Sequence, residues 1–282
     1  MNDSQTRHLQ LSDGRTLSYS DTGDGVNGTW VHCHGIPGSR YELAHLAEDL
    51  SARGVRIIIP DRPGYGDSTP HPHYSFEQHS ADLRQLADHL GLQRFSVSGF
   101  SGGGVFAMAT AHDLGERIKQ LTIAATPAVP LMDNPFAYAS ELTANAWQAA
   151  LEDTDKLARE LQVLTESAEV LSDALISSAG QLDREHLSSE QLRRAFHKST
   201  ETALQQGPTG SAKALARDSR LIAQRWPFRP ENLKVPVRVI HGQSDELVHK
   251  EHQSVLSAYL PIAKRLLFDG EGHYSVIRFI WK

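Results

Sequence analysis

Val97-Ser98-Gly99-Phe100-Ser101-Gly102-Gly103-Gly104-Val105 begins as an apolar strand and runs into a serine followed by three glycines. Glycine inside a helix costs about 1 kcal/mol relative to alanine. Yet the chain continues Phe106-Ala107-Met108-Ala109-Thr110-Ala111-His112, which has the composition of a buried helix. Gly99-Phe100-Ser101-Gly102-Gly103 fits the pattern G-x-S-x-G. A serine held on a tight strand-to-helix turn adopts a strained backbone and projects its hydroxyl above a sheet. Small residues at Gly99 and Gly103 let such a turn close, and the Gly102 N–H at the helix start points where an oxyanion could form. The pattern alone is weak, and a glycine-rich turn without chemistry is the competing reading.

The surroundings supply the context. Residues 7–13 and 15–21 alternate apolar and polar around Asp13-Gly14, a hairpin signal. Residues 29–34, 55–60, 94–98 and 118–125 read as strands, separated by helical spacing over 41–50, Ser75–Leu90 and Gly102–His112. This alternation predicts a mostly parallel sheet covered on both faces. From about Pro130 to Trp226 no good strand occurs, and stretches rich in Ala, Leu, Glu and Gln are broken by Asn-Pro, Asp-Thr-Asp, Ser-Ala-Gly-Gln and Gln-Gly-Pro-Thr-Gly. Residues 129–226 therefore read as an all-helical insertion, with 1–128 and 227–282 forming the α/β core. Strands return at 235–241 and 263–268 with a helix from about Lys250 to Tyr259 between them, and a last short helix covers 274–281.

A serine hydroxyl is a poor nucleophile unless a base takes its proton and a third group orients that base. In a parallel sheet these groups belong on loops at the carboxyl ends of later strands. The loop after 235–241 offers Asp245 and the loop after 263–268 offers His273, in the chain order Ser, Asp, His. Asp269, Asp133 and Glu246 are the rival acids: Asp269 closes the turn before His273, Asp133 lies far past its strand, and Glu246 points away from Asp245. The loop His34-Gly35-Ile36-Pro37-Gly38-Ser39 turns sharply at Gly35, and its Ile36 N–H is the second candidate oxyanion donor. Candidate pocket residues are Phe100, Trp147, Val248 and Tyr274; Trp147, with Leu151 and Phe136, either lines a pocket or packs inside the insertion.

Bulk properties narrow the class. The chain has 282 residues, a formal charge of −6 and a single cysteine, Cys33. The charge disfavours nucleic-acid binding. One cysteine excludes an intramolecular disulfide framework. No apolar run reaches the roughly 18 residues of a membrane span, and the start Met1-Asn2-Asp3-Ser4-Gln5-Thr6-Arg7-His8 has no leader-like apolar core. The expectation is a cytoplasmic protein acting on a small molecule, without membrane or nucleic-acid partner. Gly23-Asp24-Gly25-Val26-Asn27-Gly28 matches the dinucleotide pattern, but a strand follows where a helix is needed, so it reads as a loop. His32-Cys33-His34, His71-x-His73 and His249-x-x-His252 could suggest a metal, but successive strand residues face opposite ways and His71 and His73 flank Pro72 in a loop. No metal or cofactor is expected. The acidic stretch around 152–169 reads as a solvated helix face.

With its serine turn, acid and histidine in this order, the sequence resembles the α/β-hydrolase superfamily. The matching pieces are His34–Ser39, Asp61-Arg62-Pro63-Gly64-Tyr65-Gly66-Asp67-Ser68, Gly99–Gly103, His241-Gly242-Gln243-Ser244-Asp245-Glu246-Leu247-Val248 and Gly270-Glu271-Gly272-His273-Tyr274. The resemblance implies a helical lid inserted after the sixth strand, Ser101 as nucleophile, His273 as base, Asp245 as its orienter, and Ile36 and Gly102 as oxyanion donors. The chemistry it implies is that of a serine hydrolase on an ester or lactone. Other family reactions, namely C–C bond hydrolysis, amide cleavage, perhydrolysis and transacylation, stay open, as does a ligand receptor using the same pocket. Epoxide hydrolases and haloalkane dehalogenases of the superfamily carry an aspartate at the elbow, where this chain has Ser101.

Overall fold

The computed structural model describes residues 6–282; residues 1–5, part of the start read for a leader, lie outside the described residues. The hairpin signal at Asp13-Gly14 produces β1 (Arg7–Gln10) and β2 (Thr16–Thr22), paired antiparallel. Then come β3 (Thr29–Cys33), α1 (Ala47–Ala52), β4 (Arg56–Pro60), α2 (Phe76–His89), β5 (Phe95–Phe100), α3 (Gly103–Leu114) and β6 (Ile118–Ala124). Six helices follow: α4 (Glu141–Glu152), α5 (Thr154–Leu161), α6 (Ala168–Ser178), α7 (Gln181–His186), α8 (Glu190–Ala203) and α9 (Gly207–Ala223). β7 (Val237–Gly242), α10 (Glu251–Tyr259), β8 (Ala263–Phe268) and a 3-10 helix over Ser275–Phe279 complete the chain.

The eight strands form one sheet in the order β1-β2-β4-β3-β5-β6-β7-β8. β2 runs antiparallel to both its neighbours, and every pair from β4–β3 to β7–β8 is parallel. Strand alternation divides the apolar residues between two faces. Val31, Ile58 and Val97 join the main core, which includes residues of α2, α3 and α10, while Trp30, Ile57 and Ile59 join a second core with Leu50 of α1 and Val276, Ile277 and Trp281 of the C-terminal segment. The strand order reverses between β3 and β5, so their carboxyl ends open at the point where open α/β sheets bind ligands.

Helix starts follow capping chemistry. Ser75, Ser140, Asp153 and Ser167 each accept a backbone N–H at the first turn of α2, α4, α5 and α6, an arrangement worth about 1 kcal/mol apiece. The Gln206–Gly210 stretch, expected to separate helices, marks the boundary between α8 and α9 and itself opens α9, with Pro208 in the first turn where its missing N–H costs nothing.

Two helical expectations need correction. The 41–50 segment is helical only from Ala47; before it, Glu42, Ala44 and Leu46 donate to carbonyls three residues back, at Ser39, Tyr41 and Leu43. Glu42 is drawn down to the backbone of Gly35, which holds this segment in tight turns. The expected helix over 274–281 is a 3-10 helix over Ser275–Phe279. The insertion packs on the core: Trp147 of α4, Leu221 and Ile222 of α9, and Trp226 all lie in the main core cluster. No helix of the described residues is long and apolar enough to cross a membrane.

Candidate active site

β5 ends at Phe100 and α3 begins at Gly103, so Ser101 sits on the turn between them. Its φ of 52° lies in the left-handed region, which costs a non-glycine residue on the order of 1 kcal/mol. Hydrogen bonds hold it there: Ser101 N–H donates to Ala124 O at 2.8 Å, and Gly104 N–H donates to Ser101 O at 3.0 Å. The glycines are required by close approach. A Cβ on Gly103 would lie 2.1 Å from Cys33 O and 2.3 Å from His34 O, and one on Gly99 would lie 2.4 Å from Gly103 O. Gly104 faces Thr126 just past β6, where a Cβ would meet Oγ1 at 1.9 Å.

Asp245 and His273 come together across the carboxyl ends of β7 and β8. His273 Nδ1–H donates to Asp245 Oδ2 at 2.8 Å, with Asp245 fully buried at its side chain. The other oxygen, Oδ1, accepts the N–H groups of Leu247 and Val248 at 3.0 and 2.9 Å. An ionised carboxylate only accepts, so the His273 proton sits on Nδ1 and leaves the Nε2 lone pair free. Among the described residues no hydrogen bond joins the Ser101 hydroxyl to His273; such contacts often tighten only when substrate binds. Burial pushes the Asp245 pKa up, but His273 and His241 outweigh it and hold the carboxyl well below the usual range. For His273, burial disfavours the imidazolium, but Asp245 more than compensates and the net shift is upward. The rival acids stand apart: Asp133, Glu246 and Asp269 are exposed, while Asp245 is buried.

A second buried histidine supports the acid. His241 Nε2–H donates to Val248 O at 2.7 Å and lies 3.1 Å from Asp245 Oδ2. The oxyanion loop is held from two sides. Glu42 accepts Gly35 N–H at 2.8 Å and His32 Nε2–H at 2.9 Å. Arg62, buried, donates to the carbonyls of His34 and Gly35, and its Nε donates to Asp218 of α9 at 2.7 Å. Among the described residues, neither Ile36 N–H nor Gly102 N–H is engaged by the protein. Gly102 also lets the loop come close, because a Cβ there would meet Ile36 Cδ1 at 2.5 Å.

A pocket opens beside these groups. Pro37, Phe100 and Tyr274, the chain neighbours of Ile36, Ser101 and His273, form its inner wall. Leu187, Leu192 and Phe196 of the insertion form the outer wall, with Glu42 and His45 at its polar side. Of the four candidate pocket residues, Phe100 and Tyr274 line this cavity and Trp147 and Val248 do not. Trp147 is buried in the main core with its ring 5.7 Å from that of His252, and Val248 is buried with its N–H donating to Asp245 and its carbonyl accepting from His241 of β7. Leu151 and Phe136 pack against the same core.

The other histidine clusters have protein partners. His32 Nδ1 pairs with Ser98 at 2.9 Å, His34 Nδ1 with Gly35 O at 2.9 Å, and His252 Nδ1 accepts Ala128 N–H at 2.9 Å. Burial pushes the Cys33 thiol up to about 12. Residues 23–28 form the loop between β2 and β3. Sequence reasoning missed Glu42, Arg62, Asp218, His241 and Asp183 of α7. Asp218 and Asp183 bond partners 156 and 90 residues away, Glu42 and His241 bond partners within ten residues, and only Arg62 and His241 fall inside stretches singled out for their motif.

Comparison with known proteins gives the family of the chain. A soluble epoxide hydrolase of Corynebacterium sp. (strain C12) is 32% identical over 120 residues, covering 42% of this chain and 41% of that protein. A non-heme haloperoxidase of Rhodococcus erythropolis is 35% identical over 127 residues, covering 44% of this chain and 45% of that protein. The chain thus spans less than half the length of these curated relatives. The crystal structure of a hydrolase from Pseudomonas aeruginosa PA01 superposes with a TM-score of 0.72 at 19% identity, covering 99% of this chain and 95% of that one. The family described as alpha/beta hydrolase fold matches residues 31–278, and the chain belongs to the α/β-hydrolase fold family.

Proposed function

We propose that the protein is a serine hydrolase that cleaves a small-to-medium apolar carboxylic ester or lactone. The observation that carries this reading is the buried Asp245–His273 hydrogen bond of 2.8 Å at the same sheet end as a serine on a left-handed turn. Ser101 Oγ attacks the carbonyl carbon as its proton passes to His273 Nε2. The carbonyl oxygen becomes an oxyanion facing the Ile36 and Gly102 N–H groups, worth about 3 kcal/mol per donor. His273 then returns the proton to the leaving oxygen, and an acyl-enzyme remains on Ser101. Water gives a proton to His273 and attacks the acyl carbon; collapse frees the acid and restores the Ser101 hydroxyl. Asp245 keeps the imidazole in the tautomer this needs. The helical insertion acts as a lid, because it supplies the apolar outer wall.

Serine at the elbow supports acyl transfer over epoxide opening, despite the epoxide-hydrolase relative. The haloperoxidase relative supports one further reading, in which hydrogen peroxide replaces water and leaves with the acyl group as a peracid. The test is Ser101→Ala against p-nitrophenyl esters of increasing acyl length and a lactone panel. Loss of at least about a hundredfold in turnover is expected, together with loss of fluorophosphonate labelling. Wild-type turnover by Ser101→Ala would sink the assignment.

A further inference from the structure

The insertion reaches the candidate base directly. Asp183 of α7 is completely buried, and its carboxylate lies against the backbone that carries His273. Oδ2 accepts His273 N–H at 2.6 Å, and Oδ1 accepts Tyr274 N–H at 2.8 Å and Ser275 N–H at 3.2 Å. These N–H groups begin the 3-10 helix over Ser275–Phe279, and a helix start leaves such donors without partners of its own. Here a side chain 90 residues earlier in the chain supplies the acceptor. The fit is close: a Cβ on Gly272 would lie 2.3 Å from Asp183 Oδ2. The same helix ends at His186, which lines the pocket, as does Leu187 just beyond it.

We propose that Asp183 is a positioning residue for His273, so that the base is correctly placed only while α7 is docked on the core. The proposal rests on His273 being the base of the reading above. His273 is held on its ring side by Asp245 and on its backbone side by Asp183, and the two carboxylates come from opposite parts of the fold. A bond to backbone rather than to the ring fixes where the imidazole sits without competing for Nδ1. Movement of α7 would open the pocket wall and release the base together, which ties catalysis to an enclosed, water-poor site.

Charge gives a second signature. Asp245 from the loop after β7, Asp183 from α7 and Glu42 from the segment before α1 all face His273, and all three favour its protonated form. Asp183 in turn is faced by His273, Asp245 and, from its own helix, His186. Removing the Asp183 charge therefore moves the His273 titration to lower pH.

The experiment is Asp183→Asn, with the exposed Glu185→Gln on the same helix as control. We expect kcat for the best ester to fall about tenfold or more while KM changes by less than about threefold. We also expect the acid limb of the pH–rate profile and the NMR titration of His273 to move to lower pH, with Glu185→Gln matching the wild type in each readout. Unchanged kcat and an unchanged His273 titration in a folded Asp183→Asn protein would overturn the proposal. Should that variant not fold, amide hydrogen exchange in the wild type decides: protection of 273–275 comparable to the core strands supports the clamp, and fast exchange overturns it. The two readings fail separately. A wild-type protein inert to esters and fluorophosphonate, but with the His273 titration shifted in Asp183→Asn, removes the hydrolase reading and leaves the clamp in place.

Discussion

Replacing Gly103 with alanine isolates what the close approach at the elbow contributes. The added Cβ would lie 2.1 Å from Cys33 O and 2.3 Å from His34 O, whereas ordinary contact starts near 3.4 Å. More than an ångström of separation is needed, and neither partner is a side chain that can rotate away. The obstructing carbonyls belong to the end of β3, which is paired on both sides, Val31 with Ile58 of β4 and His32 with Ser98 of β5. Overpacking usually costs about 1–3 kcal/mol, and a rigid central strand puts this case at about 3 kcal/mol or more. For a chain of this size that corresponds to a fall in Tm of about 6–12 °C. The displaced atoms also lead into the oxyanion loop, so kcat/KM should fall by about a hundredfold, the effect of losing one donor. Differential scanning calorimetry and ester kinetics measure both. Gly91→Ala is the control: nothing lies within 4 Å of its Cβ, so only the strain of its φ of +66° applies, about 1 kcal/mol or somewhat more. If Gly103→Ala melts and turns over like Gly91→Ala, the steric account of the elbow is wrong.

Ester turnover should rise with pH through a midpoint above the ordinary histidine value of 6.5, because His273 must be neutral to act as base and its pKa is raised; a midpoint below 6.5 in a pH–rate profile contradicts the Asp245 pairing. Asp245→Asn should lower kcat by about 10⁴-fold at neutral pH, since an amide can donate to Nδ1 and favour the wrong tautomer; a loss below about tenfold would show that His273 does not depend on this partner. Asp218→Ala leaves the buried Arg62 guanidinium without its carboxylate, so urea unfolding should show a loss of about 3–5 kcal/mol. A change under about 1 kcal/mol there would mean that the carbonyls of His34 and Gly35 suffice to hold Arg62.

The strand–helix rhythm, the hairpin and the serine turn were legible because each rests on local rules: side-chain period, turn residues and backbone strain at a single position. The pairing of Asp245 with His273 was legible for a related reason, since a parallel sheet places successive loop residues at one end, and these are the acid and histidine nearest the ends of their strands. Pocket walls were less so. Trp147 and Val248 have the right polarity for a pocket, but polarity does not say which of two buried surfaces an apolar side chain joins. The helical spacing over 41–50 failed at Glu42, whose side chain is bound to Gly35 and His32 rather than to solvent. The sequence by itself thus determined the architecture and the three residues of the candidate triad. Only the tertiary structure decided what holds them, because Arg62 with Asp218 and Asp183 with the His273 backbone are buried polar contacts and Glu42 with Gly35 is a half-buried one. Their energy depends on desolvation and on distances between segments up to 156 residues apart, which no local pattern encodes.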